Sequence, residues 1–506
     1  MRVAVRLWAL WFGERVHPLR IAIEAACFTC ALWPLSVVAY VFVARMFYPI
    51  DIEWCEGGAL YEAYRLLHGL PLYARVDPSW APFPYPPGHT ALLALLGLAH
   101  LDFWTGRLVS VAFFWLLCWS LFREFYRHLN RSSFGIALGA LAVATVACGY
   151  PVIGQWFDLV RVDTMMLALV ILGISRISER GSSTRNIVIV AACFTAAIYT
   201  KQTAAFLVSW ACLFALIREP IVGFKLSAIT FGMCLMMLGI LQWATGGDFW
   251  FWTVTSLQNH KVDDARVMEG LRYVWEFAPF IVAIPFVALV LGLKGLLSER
   301  SALWTGSLFV AVPASMLPYA KAGGYLNNLM PLIVLVGPVA AFLLADVARQ
   351  RGGWGWATRW CVLLGLTLFV WNHPLNASDY LPTARNWRAA RELNAVVASL
   401  KGGVVCPYLG FLPAHNGHSN PHWHAMVVWD SVWRGEPMNE IAALQHSGAK
   451  WVLLHSKDGG SFASHVRNTS RLDRRLPDSA RVQMVTGAAV EIDEVWERNL
   501  PNRVAQ

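Results

Sequence analysis

Three carboxylates fall within six residues in the stretch Asp51-Ile-Glu53-Trp-Cys-Glu56-Gly-Gly. Acids this close raise one another's pKa, which suits a general base, and they equally suit a divalent cation. Along an extended chain Asp51 and Glu53 share a face, and Glu56 opens a helix expected over 56–68. The plainer alternative is a solvated loop whose last acid sits favourably at a helix start. A second polar stretch reads Trp156-Phe-Asp158-Leu-Val-Arg161-Val-Asp163. Asp163 falls just inside an apolar block, where an ionisable group is a candidate for function; an Arg161–Asp163 ion pair is the structural alternative. Lys201, with Gln202 and Thr203, is a cation suited to a phosphate. So is Lys321, in Lys321-Ala-Gly-Gly-Tyr325-Leu-Asn-Asn328. Snorkelling at a helix end is the ordinary reading of both lysines. His260, Lys261, Asp263, Asp264 and Arg266 form a further polar group, best read as a solvated loop. His415, His418, His422 and His424 lie within ten residues. Gly417 and Pro421 break any helical metal-ligand spacing there, so a polar loop packed on the rest of the chain is expected.

The elements that would position these residues are membrane helices. The chain is 57% hydrophobic and 14% charged, against about a quarter charged for a soluble domain. Its apolar blocks are long, and in lipid each must be helical because no water satisfies the backbone. Basic turns recur at Arg123/Arg127/Arg131, Arg176/Arg180/Arg185, Arg218/Lys225, Lys294/Arg300 and Arg349/Arg351/Arg359. Assigned to the cytoplasm, with Arg2, Arg6, Arg15 and Arg20 before the first block, they predict about eleven spans. These run over 22–47, 104–122, 134–150, 160–176, 187–200, 203–217, 225–244, 276–294, 303–319, 329–346 and 359–372. Residues 87–101 are apolar but short, and read as an interfacial or re-entrant element within the outer loop 48–103. The first block is too long, and lacks the small-residue site, for a cleaved signal. Residues 1–372 then form a transmembrane domain. Residues 373–506, with an amphipathic helix over 384–400, strands over 403–407 and 451–454 and a helix over 437–447, form a small outward-facing α/β domain. Eight of ten cysteines fall in predicted helices as packing residues, while Cys55 and Cys406 are expected to be exposed on the outer side. The scattered basic residues argue against nucleic acid as a partner, and no phosphate-loop or dinucleotide fingerprint occurs.

Taken in order, the motifs resemble the GT-C superfamily of membrane glycosyltransferases, close to the bacterial aminoarabinose and protein O-mannosyl transferases. The resemblance rests on Glu56-Gly57, Gly69-Leu-Pro71-Leu-Tyr73, Tyr85-Pro86-Pro87, Arg161-Val-Asp163 and Lys201-Gln202-Thr203, and covers roughly residues 20–345. Where many relatives carry Asp-Glu-Gly, Cys55 here precedes Glu56, which leaves Asp51, Glu53 and Glu56 as alternative bases. The resemblance implies a polytopic α-helical fold in the bacterial inner membrane, working at its periplasmic face. It implies a sugar donor linked to polyprenyl phosphate and a glycan, lipid or protein acceptor. A first-loop carboxylate would deprotonate the acceptor hydroxyl, with Asp163 orienting it. Lys201, Arg161 or Lys321 would neutralise the leaving phosphate, and Tyr85, Asp158, His260, Lys261, Tyr325 and Asn328 would line the substrate site. No cofactor beyond a divalent cation is implied. A transporter would instead show inverted repeats and midplane charges, and an envelope assembly protein would leave the first-loop acids without a role.

Overall fold

The computed structural model of the chain describes residues 18–75, 80–179, 183–349, 355–433 and 437–499. Arg2, Arg6, Arg15, Arg180 and Arg351, part of the expected orientation signal, lie outside the described residues.

All eleven expected apolar blocks are helical. Among the described residues five helical segments are long and apolar enough to cross a membrane: Pro18–Met46, Phe103–His128, Pro220–Ala244, Glu299–Ala320 and Leu326–Ala348. The expected span at 276–294 is instead broken. Asp264–Phe277 and Pro279–Leu293 meet at 105°, at a proline that has no N–H to continue the helix. Counted as one element it makes six crossings by length and composition, fewer than the eleven expected. The other blocks, such as Ser133–Cys148 and Ala204–Arg218, are apolar but shorter than 18 residues. The protein is a polytopic helical membrane protein. The short apolar segment after Pro87 is a 13-residue helix, Gly88–His100, about 20 Å long and packed against the helix Glu56–Leu67. It turns into Phe103–His128 through Asp102, whose carboxylate accepts from the Phe103 amide at 2.6 Å while the Thr105 hydroxyl accepts from the Asp102 amide.

After Asn372 the chain forms the expected amphipathic helix Ala384–Ser399, burying Ala389, Ala390, Leu393 and Val397 at helical spacing. A four-stranded sheet follows. β1 is Val404–Val405, β2 Trp451–Leu454, β3 Ser470–Arg475 and β4 Glu494–Arg498, in the order β1-β2-β4-β3. β1 runs parallel to β2, and the other pairs are antiparallel. β2 is buried along its length, which is why Trp-Val-Leu-Leu reads as an unbroken apolar run. β3 was invisible in the sequence because it is a charged edge strand carrying Arg471, Asp473, Arg474 and Arg475. The sheet has two faces with different partners. Val404 and Leu453 join the core that runs through the helical bundle, while Val405 and Val452 pack with Trp423, Phe462 and Trp496. The C-terminal region is therefore fused to the bundle by a shared core.

Candidate active site

The first-loop acids are buried, contrary to a solvated loop: Asp51 and Glu56 are 0% exposed and Glu53 is 1%. Residues 51–55 fold as successive turns, so Asp51 and Glu53 do not share an extended face. Each acid takes different partners. Asp51 accepts the Gly57 amide at 2.5 Å. Burial and the neighbouring Glu56 push its carboxyl well above the ordinary range. Glu56 faces Arg107 of the helix Phe103–His128, which donates Nε to Oε1 at 3.0 Å and Nη2 to Oε2 at 2.8 Å. The amides of Ile52 and Val160 complete its shell at 2.7 and 3.0 Å. Burial opposes ionisation of Glu56, but the Arg107 charge and these hydrogen bonds outweigh it and hold the carboxyl below its usual value. Arg107 itself also holds the carbonyls of Tyr48 and Ile50, each at 2.6 Å. Glu56 thus ties the first loop to the helix Phe103–His128 and to the segment leading into Val162–Ile177.

Glu53 is the acid that lines a cavity. The cavity encloses about 590 Å³, and among the other residues around it are Trp54, Phe83, Tyr85, Trp156, Arg161, Lys201, Lys321, Tyr325 and Asn328. Burial raises the Glu53 carboxyl to about 7, with Arg161 pulling the other way and Glu56 adding to the rise. One Glu53 oxygen accepts the Cys55 amide at 3.1 Å. A carboxyl poised near neutrality in a cleft is the usual state of a general base.

Three cations share the chamber. Lys201 is 4% exposed and does not snorkel; its Nζ donates to Asp163 Oδ1 at 2.6 Å and to Asn328 Oδ1 at 2.9 Å. Asn327 adds two bonds of 3.2 Å to the Asp163 carboxylate. Asp163 therefore pairs with Lys201, not with Arg161. Arg161 lies against the rings of Phe83, Tyr85 and Trp156, at 5.4, 5.8 and 5.5 Å from their centroids, which keeps its guanidinium in the cavity wall, in no ion pair among the described residues. Lys321 caps the helix Glu299–Ala320 and donates to the Leu257 carbonyl at 3.2 Å.

The stretch after His260 is exposed at Lys261, Asp263 and Asp264, as a solvated loop requires, but its backbone is ordered and His260 itself is buried. Its backbone pairs with the 320–322 turn, through the Asp263 amide to the Ala320 carbonyl and the Ala322 amide to the Lys261 carbonyl. His260 lines the cavity and pairs with Asp430 of the C-terminal region at 2.9 Å, whereas Lys261 is exposed and does not line it. Asp158 does not line it either. It is buried against Arg45 at 3.1 Å and the Tyr150 hydroxyl at 2.8 Å, a structural cluster. Cys55 and Cys406 are both buried and free, which corrects their expected exposure. The histidine stretch packs inward as expected. The Met426 amide donates to His424 Nδ1, so Nε2 carries the proton and donates to the Trp54 carbonyl at 2.8 Å. Burial depresses His424 to about 4. Among the described residues no three His, Cys, Asp or Glu side chains converge as metal ligands.

Sequence reasoning missed Arg107, Asn327 and Asp430. Their roles depend on contacts 51, 164 and 170 residues away in the chain, and no local pattern marks them. Gly487 was missed too. It holds a left-handed φ of +83°, and a Cβ there would stand 2.7 Å from Glu53 Cγ.

No protein-family model matches the chain, and no curated protein matches its sequence. In three dimensions it is similar to ArnT from Cupriavidus metallidurans, solved bound to undecaprenyl phosphate and in the apo state. Each superposes with a TM-score of 0.55 at 12% identity, over 92% of this chain and 97% of the other. The archaeal oligosaccharyltransferase AglB from Archaeoglobus fulgidus, solved with an inhibitory peptide and a dolichol-phosphate, gives a TM-score of 0.39 at 10% identity, over 83% of this chain and 69% of that one. With coverage nearly complete on both sides, the chain shares the fold of ArnT from Cupriavidus metallidurans.

Proposed function

We propose that this chain is a membrane glycosyltransferase, moving a sugar from a polyprenyl-phosphate donor to a hydroxyl of a glycan, lipid or protein acceptor at the outer face of the bacterial inner membrane. The observation that carries the reading is the shared chamber of Glu53 with Arg161, Lys201 and Lys321. Glu53 takes the acceptor proton. The freed oxygen attacks the anomeric carbon, the bond from that carbon to the phosphate oxygen breaks, and the polyprenyl phosphate leaves with its charge met by the three cations. The donor class is supported by the ArnT fold, a protein solved with undecaprenyl phosphate bound. Glu53 is proposed over Asp51 and Glu56 because only Glu53 lines the cavity; Asp163 sets the position of Lys201. Tyr85, Tyr325, His260 and Asn328 are proposed to contact substrate.

The test is transfer of a labelled sugar from undecaprenyl-phosphate donors by the purified full chain. Glu53→Gln is expected to lower turnover by roughly 10²–10⁴-fold with donor binding retained. Unchanged turnover overturns the assignment. A reporter fused after Asn372 tests orientation and is expected outside the cell; a cytoplasmic signal overturns the outer-face reading.

A further inference from the structure

A second cavity lies far from the first. Arg107, near the start of the helix Phe103–His128, holds the first loop, and the same helix reaches this cavity at Arg127 and His128, about 30 Å further along its axis. The cavity holds about 710 Å³, is broadly open, and every residue around it is polar. Four arginines line it, Arg127, Arg131, Arg300 and Arg349, against two carboxylates, Glu179 and Glu299. Arg123, Arg131 and Arg300 stand near enough to Arg127 to repel its charge. The acid beneath them is already engaged: Asp346 accepts the Ser298 amide at 2.8 Å and pairs with His128 at 3.3 Å and Arg349 at 3.6 Å. Arg127 pairs with Glu179 and Arg300 stands 4.0 Å from Glu124, so it is Arg131 that these acids leave without a counter-charge among the described residues.

The backbone supplies an independent observation. The chain between Phe103–His128 and Ser133–Cys148 turns through two consecutive left-handed residues, Asn130 at φ +54° and Arg131 at φ +59°. Glycine suits that conformation and a long side chain does not, at a cost of roughly 1 kcal/mol. The turn nevertheless presents a guanidinium on the cavity, and among the described residues Arg131 forms no ion pair. Mutual repulsion and a strained turn are tolerated where a bound anion repays them.

We propose that this cavity is a binding site for a phosphate ester, held by Arg131 and Arg300 with Arg127 and Arg349 beside them. Planar guanidiniums match phosphate oxygens two at a time. The ester is either the headgroup of an anionic phospholipid reaching in from the adjacent leaflet or a soluble phosphate. The site is separate from the chamber of Glu53, and the proposal stands or falls without it.

The experiment uses the purified full chain in mild detergent and native mass spectrometry, with phosphatidylglycerol, phosphatidylcholine and inorganic phosphate titrated separately. Arg131→Gly relaxes the turn while removing the charge, so it is expected to fold normally and to bind the anionic probe roughly fivefold more weakly. Arg300→Gln is expected to lose a similar factor. Arg272→Gln, an exposed arginine outside the cavity, is expected to change nothing. Binding of phosphatidylglycerol over phosphatidylcholine, with inorganic phosphate inert, supports the lipid source. Binding of inorganic phosphate with the same dependence on Arg131 supports the soluble one. Equal binding of all three probes, or wild-type affinity in both cavity variants, overturns the proposal.

Discussion

Arg107 grips Glu56 with two parallel hydrogen bonds in a place neither side chain shares with water, one residue 1% and the other 0% exposed. Removing one partner of a buried pair strands the other charge at a cost of about 3–5 kcal/mol. Glu56→Ala and Arg107→Ala are expected to lower the unfolding temperature and the yield of folded protein. The folded fraction of each is expected to keep its turnover per molecule. A Glu56 variant with wild-type stability and no transfer activity would place that acid in the chemistry instead.

The elevated carboxyl of Glu53 predicts an acid limb in the pH profile of kcat/KM, falling tenfold per unit below about 7. The sign for stability is the reverse of the usual carboxylate case. The folded state favours the neutral acid, so the contribution of Glu53 is present below its ordinary pKa of 4.5 and is lost as pH rises through about 7. Glu53→Gln is expected to abolish the acid limb and to flatten the stability curve over that window. An acid limb that survives in the variant would assign it to another group.

The two lysines of the chamber are expected to separate by experiment. Lys201→Met leaves Asp163, 1% exposed, without its cation, and is expected to destabilise the protein as well as weaken donor binding. Among the described residues the Lys321 ammonium has only a carbonyl partner, and it is half-buried, so Lys321→Met is expected to fold normally and raise the donor Kd roughly tenfold or more. Thermal unfolding and donor titration on both variants check this; equal stability loss in the two would show that Lys321 is structural.

Cys55 and Cys406 are buried and unbridged. Both are expected to resist maleimide in the folded protein and to react on unfolding, with no change of gel mobility under reducing conditions. Rapid labelling of either in the native state would contradict the packing of the first loop against the C-terminal region.

Much of this site was legible because the motifs are local. Arg161-Val-Asp163, Lys201-Gln202-Thr203 and Lys321 to Asn328 each sit where a helix begins or ends, and the structure brings residues of all three to one cavity. The choice among Asp51, Glu53 and Glu56 was not legible, because the engagement of Glu56 with Arg107 is a tertiary contact that no local spacing marks. All three acids are buried, and Glu53 is set apart only by lining the cavity. The membrane helices were readable from apolar block length, but the break at Pro279 and the charged strand β3 were not, since one depends on a bend and the other on an edge position. Asp430 lies in a segment that gave no periodic signal, so its pairing with His260 could not be foreseen.

The wall beside Glu53 is contributed by Gly487 and Ala488, more than four hundred residues later in the chain. The acid's environment is therefore assembled from both ends of the molecule, and the helical bundle alone does not make a closed reaction vessel. Burial is what raises the Glu53 carboxyl, and Gly487 of the C-terminal region packs on its side chain. The segment farthest from the membrane helices in sequence thus sets the proton affinity of the group nearest the proposed bond exchange, and a change in how that segment docks is felt as a change in acidity before any contact with substrate is lost.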